Sequence, residues 1–153
     1  MPRAVTPAFF FNPSGAASAF IANNNVLPGG WAGFHPGPSG ETSDFRFTAP
    51  SAGRYSFAFS FEGADTVGTN TDVHIYTRGQ DLFSATINGF GPASLQTFSG
   101  TVSLATGQVV DIGVGFATNQ NYLFDLTAVQ GTIAAVPEVS ARPIGEARRP
   151  WRA

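Results

Sequence analysis

The sequence predicts an all-β chain, an antiparallel β-sandwich of jelly-roll type with about eight strands. Three observations lead there. Apolar and polar residues alternate with period two along most of the chain; "GRYSFAFSFE" places Tyr55, Phe57, Phe59 and Phe61 on one side and Arg54, Ser56, Ala58, Ser60 and Glu62 on the other. Turn-forming sequences interrupt these runs at short intervals. No window of about eleven or more residues carries a helical period. Alternation of this kind gives each strand one buried and one wet face, as antiparallel sheets have.

Strands are expected near 17–22, 44–49, 53–62, 72–78, 81–87, 95–104, 108–117 and 121–133. Phe45 and Phe47 share a face, as do Val73 and Ile75. Val110, Ile112, Val114 and Phe116 form a second apolar stripe, opposed by Val109, Asp111, Gly113 and Gly115. "PSAG" (50–53) suits a tight turn ending on Gly, and "RGQD" (78–81) and "ATGQ" (105–108) read as hairpin turns. "TNQN" (118–121) is a further turn, because Asn tolerates positive φ, and "NGFGPAS" (88–94) is a longer loop. The organisation expected is an irregular segment 1–16, a sandwich domain 17–135 and a Pro/Arg-rich tail 136–153 that buries too little to order.

A chain of 153 residues suits one domain, and its 42% hydrophobic content is ordinary. Charged residues are only 12%, about half the usual share. Residues 1–136 hold four Arg against eight carboxylates, a net of −4, so nothing in the body is a footprint for nucleic acid. The chain has no Cys, which excludes disulfides, thiolate metal sites and a Cys nucleophile. No apolar run is long enough to span a membrane. The start, "MPRAVTPAFFFNPSG", lacks the apolar core of a signal peptide.

The order of features resembles a group of bacterial secreted proteins that carry a C-terminal PEP-CTERM sorting signal, the substrates of exosortase. The residues that carry the likeness are His35-Pro36-Gly37, "FTAPSAG" at the start of the long aromatic strand, "TDVHIY", "TVSLATGQVVDIGVG" and "NQNYLFD"; together they span roughly 26–138. The resemblance implies an exported domain at the cell surface or in the extracellular matrix of biofilm-forming bacteria, similar to carbohydrate-binding jelly rolls. In the tail, Val136, Pro137 and Glu138 fit the family signal, and Arg148 and Arg149 stand where its basic cluster would be. Val139 replaces a Pro there, and the apolar helix between the two is missing.

Four sets of residues are candidates for chemistry. The stretch "EGADTVGTNTD" (62–72) is rich in oxygen, and calcium takes six to eight oxygen ligands, so Asp65, Asn70 and Asp72 are candidate calcium ligands; the alternative is a turn that satisfies its own backbone. Asp111 and Asp125 flank the 118–121 turn, and close together they would form a glycosidase acid/base pair; the alternative is that they face water or accept backbone hydrogen bonds. His35 and His74 are the two histidines, and no Gly-x-Ser-x-Gly elbow accompanies them. Trp31, Phe34, His35 and Tyr76 belong to no core stripe, and exposed flat rings of this kind stack on sugars while polar neighbours bond the hydroxyls. The alternative is that the 28–38 loop folds over one end of the sandwich and buries them.

These readings favour a non-catalytic, exported domain that binds exopolysaccharide, with no cofactor unless calcium occupies the 62–72 stretch. A structural adhesion module without a ligand site is the first alternative, and a glycan-active hydrolase the second.

Overall fold

The strand pattern is realised as ten strands in a computed structural model, which describes residues 9–13, 18–21 and 31–138, the first two stretches as backbone strands only. In chain order they are β1 (Phe9–Pro13), β2 (Ser18–Ile21), β3 (Ala32–His35), β4 (Ser43–Thr48), β5 (Gly53–Gly63), β6 (Thr69–Thr77), β7 (Gln80–Gly89), β8 (Gly91–Leu104), β9 (Val109–Phe116) and β10 (Thr127–Val136). They form two five-stranded antiparallel sheets, ordered β1-β4-β9-β6-β7 and β2-β3-β10-β5-β8. The pairs β3 with β10, β4 with β9, β5 with β8 and β6 with β7 are nested like one long hairpin rolled on itself. That nesting is the jelly roll. β1 and β2 each add an outer strand, beside β4 and β3 respectively. The hairpin's tip is Arg78-Gly79, both at positive φ (51° and 73°), the two-residue geometry that matches strand twist.

The core lies between the sheets. Tyr55, Phe57, Phe59 and Phe61 all point inward and are buried. From the opposite sheet, Phe47 meets Tyr55 and Phe57 edge-on, with ring centroids 5.3 and 5.8 Å apart. Phe83 stacks on Phe61 at 5.9 Å and continues to Phe98 at 5.5 Å. Val73, Ile75, Ile87, Val110, Ile112 and Val114 fill the other side.

The boundaries differ from the sequence expectation in six places, one of them the expected 88–94 loop, where β7 runs to Gly89 and β8 begins at Gly91. The segment 1–16 contains β1, hydrogen-bonded along β4 from Phe9 to Pro13. The 28–38 stretch contains β3, which is too short to show an alternation. β6 begins at Thr69, so the 62–72 stretch is mostly strand and only 64–68 is loop. The last strand begins at Thr127 rather than 121. Gln120 and Phe124 take positive φ, and Asn side chains hold the local backbone: Asn119 Oδ1 accepts from Asn121 N–H, and Asn121 Oδ1 from Leu123 N–H. Such local bonds compete with a sheet ladder. β10 also runs on to Val136, which pairs with Arg54, so the sandwich ends one residue past the expected boundary. Most of the expected tail, 139–153, lies outside the described residues.

Phe57 is 1% exposed at the centre of the aromatic row. Phe57→Ala is expected to cost about 3–5 kcal/mol in denaturant unfolding, whereas a change below about 1 kcal/mol would mean that the row does not hold the sheets together.

Candidate functional site

β9 is the central strand of its sheet, between β4 and β6. Its inward residues, Val110, Ile112 and Val114, belong to the core, so Asp111, Gly113 and Gly115 face outward. The register sets their neighbours. Gly113 lies between Asp44 of β4 and His74 of β6; Asp111 lies between Arg46 and Tyr76; Gly115 lies beside Asp72. Two glycines on one face of a central strand leave a trench, because nothing rises from its floor. The resulting groove has a volume of about 430 Å³. Thr42 and Asp44 form one wall, and Asp72, His74, Tyr76 and Asp81 the other. Phe116, expected in the apolar stripe, is instead half-buried and closes one end with Gly40.

A side chain at either floor position would displace its neighbour across the groove. A Cβ at Gly113 would lie 2.5 Å from Asp44 Oδ1, and one at Gly115 would lie 3.1 Å from Thr42 Cγ2. Asp44 therefore leans over the floor. Burial pushes its carboxyl up, the Thr42 hydroxyl bond opposes this, and Asp111 adds to it. The Tyr76 phenol is pushed up to about 12, by burial first and then by the Asp44 and Asp111 carboxylates. It is thus neutral at any physiological pH, with its proton held toward Asp111. Arg46 grips Asp111 with two bonds, Nε to Oδ1 at 2.6 Å and Nη2 to Oδ2 at 2.9 Å. Those bonds raise the guanidinium further and engage its charge. Thr86 donates to Asp72 Oδ1 at 2.7 Å, and His74 Nδ1 meets Asp81 Oδ1 at 3.2 Å.

Of the sequence-predicted residues, Tyr76 and Asp72 lie in this groove. The other three rings lie elsewhere. Alternation in β3 turns Phe34 into the core, where it is 2% exposed and cannot stack on a sugar. Trp31 is half-buried against Ala64, Leu126 and Ala128. His35 donates through Nδ1 to the Pro36 carbonyl and meets Tyr122 edge-on at 6.1 Å. Trp31 immediately precedes β3, Phe34 and His35 lie on it, and Tyr76 is on the outer face of the other sheet, so the four do not make one patch.

The candidate calcium ligands also separate. Asp65 Oδ2 accepts from Leu126 N–H at 2.8 Å, and Asn70 Oδ1 accepts from Asn119 N–H at 3.2 Å; both tie the 64–70 stretch to the loop before β10. Asp72 stands in the groove instead. Among the described residues, no three His, Cys, Asp or Glu side chains gather as a metal would require. The Asp111–Asp125 pair is corrected as well. Asp111 sits opposite Tyr76, and Asp125 Oδ1 accepts from Asn70 N–H at 2.8 Å. Those two β6 residues are about 20 Å apart along an extended strand. Asp125 is fully buried, its Oδ2 has no partner, and burial pushes its carboxyl up. It anchors a loop, with Asp65 rather than Asp111 as the neighbouring carboxylate.

Sequence reasoning missed Asp44, Asp81 and the two glycines as site residues. The available signal was Gly113 and Gly115 standing opposite the apolar stripe of a central strand.

No family model matches the chain, and no curated protein matches it. Among solved structures it is similar to TmCBM61, determined in complex with β-1,4-galactotriose (14% identity, 84% of this chain and 88% of that one, TM-score 0.48). It is similar to CBM6cm-2, a carbohydrate-binding module of a Cellvibrio mixtus lichenase in complex with cellotriose (14% identity, 85% and 98% covered, TM-score 0.46). A family 35 carbohydrate-binding module from Clostridium thermocellum is a third (15% identity, 80% and 97% covered, TM-score 0.42). Each is a likeness of fold.

The raised Asp44 carboxyl has a thermodynamic consequence. A folded-state carboxyl that titrates above its unfolded counterpart weakens the fold when ionised, and acidification through its folded value removes that penalty. Asp44→Asn is therefore expected to raise the melting midpoint at about pH 7 and to lose this advantage by about pH 3. A variant less stable than the native protein across that range would show that the carboxylate is held by favourable contacts.

Proposed function

We propose that the groove over Gly113 and Gly115 binds a polysaccharide chain, and that the domain is a non-catalytic glycan-binding module. The observation that carries this reading is the composition of one open trench: a floor of bare backbone, the rings of Tyr76 and Phe116, and carboxylates of Asp44, Asp72 and Asp81 along its walls. A sugar presents an apolar face to a ring and hydroxyl donors at its edge. Carboxylates accept those hydroxyls in charge-assisted bonds, and the Tyr76 phenol oxygen, its proton held toward Asp111, accepts from a further hydroxyl. An open trench admits an internal stretch of a polymer as well as its end. The likeness to exported sorting-signal proteins fits a place for this module at the cell surface or in an extracellular matrix.

Each aromatic contact contributes about 0.5–1.5 kcal/mol beyond area burial, so single-site affinity near the millimolar range, about −4 kcal/mol, is expected. A display of many copies along a polymer would still hold firmly through multivalency. The test is retardation in gels cast with a panel of bacterial and plant polysaccharides. The native protein should be slowed by at least one of them. Tyr76→Ala and Gly113→Ala should run as in a plain gel, and Trp31→Ala should be slowed like the native chain. If no polysaccharide slows the native protein, or the groove variants are slowed equally, the structural adhesion module takes this reading's place. One observation favours the hydrolase as a second reading, the raised carboxyl of Asp44 in an open groove. Release of reducing ends from the retarding polysaccharide, lost in Asp44→Asn, would establish it.

A further inference from the structure

Resting on that reading of the groove, we propose that it selects a polysaccharide whose sugars carry free amino groups, ammonium at neutral pH, over neutral or acidic chains. The site is the trench, with its glycine floor and two rings; its charge decides which chain fits. Three carboxylates line it, and of the lining side chains only His74 can become a cation. Asp81 faces that histidine at 3.2 Å. Arg46, on the neighbouring strand β4, is turned to Asp111 by both of its bonds. Arg78, on the turn after β6, is drawn to Gln108 at 2.6 Å. Among the described residues, no guanidinium lines the groove to receive a uronate or sulfate, and the carboxylates' field repels them.

The carboxylates are also placed to receive a donor. Thr42 bonds Asp44 Oδ2 at 3.2 Å, which leaves Oδ1 over the floor beside Gly113. Thr86 bonds Asp72 at Oδ1, and His74 meets Asp81 at Oδ1, so each keeps its second oxygen outside those bonds. An ammonium brings three donors and a charge to such acceptors, whereas an N-acetyl group brings one donor and no charge. Charge-assisted bonds are roughly twice as strong as neutral ones, and a cleft between low-dielectric walls concentrates the field.

The experiment is calorimetric titration of the full chain with glucosamine oligomers, their N-acetylated counterparts of matched length, and uronate oligomers. The amine form is expected to bind at least about tenfold more tightly than the acetylated form, and the uronate not at all. Added salt should weaken the amine complex more than the acetylated one. In the Asp72→Asn, Asp81→Asn double variant the preference should collapse toward parity, with binding of the acetylated oligomer retained. Glu62→Gln, on the outer face of the other sheet, should leave the preference unchanged. Equal or tighter binding of the acetylated form overturns the proposal, as does a preference that survives the double variant or falls equally in Glu62→Gln. If neither oligomer binds, the proposal fails; the glycan reading then survives only if another polysaccharide still retards the native protein and not Tyr76→Ala.

Discussion

Everything in this molecule depends on the row of aromatic rings along β5. Tyr55, Phe57, Phe59 and Phe61 occupy every inward position from 55 to 61, and the opposing sheet answers with Phe47 and Phe83. A one-residue slip of β5 would bring Ser56, Ala58 and Ser60 into the core and turn the rings to water. The row therefore locks β5 in register with β8 and β10, its two partners. Packing across the interior then leaves no choice for β9. Val110, Ile112 and Val114 must face the rings, and Asp111, Gly113 and Gly115 must face out. The groove is the reverse side of a strand whose front was decided by the core.

The two outer faces have different characters. Behind the aromatic row the surface carries Ser56, Ala58 and Ser60, flanked by Thr97, Ser99 and Thr101 of β8 and by Gln130, Thr132 and Ala134 of β10. It is uncharged over that span. The outer face of the β9 sheet concentrates the charge: Asp44, Arg46, Asp72, His74, Asp81 and Asp111 all stand on it. A chain with only 12% charged residues thus gathers much of its charge on one face. The bidentate Arg46–Asp111 pair removes a cation and an anion from that field together, so the free carboxylates set its sign.

The loops at the end where β9 hands over to β10 are organised by carboxylate and amide side chains. Asp65 and Asp125 reach across to the backbone N–H groups of Leu126 and Asn70, and Asn70 reaches on to Asn119. Thr69 Oγ1 donates to the Leu126 carbonyl in the same place. These oxygens take the place of a sheet ladder in a stretch that has none, and Asp65 and Asn70 of the oxygen-rich run are the ones that make such backbone ties. Side-chain acceptors near irregular backbone find N–H groups first, because a buried N–H without a partner is costly.

The sequence by itself determined the period of the chain, and from it the all-β class, the aromatic core and the side on which each strand residue lies. Alternation is a local property: Val73 and Ile75 are buried in the core and His74 is half-buried on the outer face, as the pattern requires. Even the groove's floor was legible to that extent, as two glycines on the wet side of β9. Only the tertiary structure decided which residues became neighbours. Asp44 and Gly113 are 69 positions apart and meet because β4 pairs with β9 in one register among several. Phe34 is buried because a strand too short to show alternation adds to the edge of β10. Asp111 and Asp125 stand apart because Asp111 lies within β9 opposite Tyr76, whereas Asp125 lies past the end of that strand and is tied to Asn70. Periodicity depends on the direction of successive Cβ atoms, which any few residues disclose; pairing depends on competing packings of the whole chain, which no short segment contains.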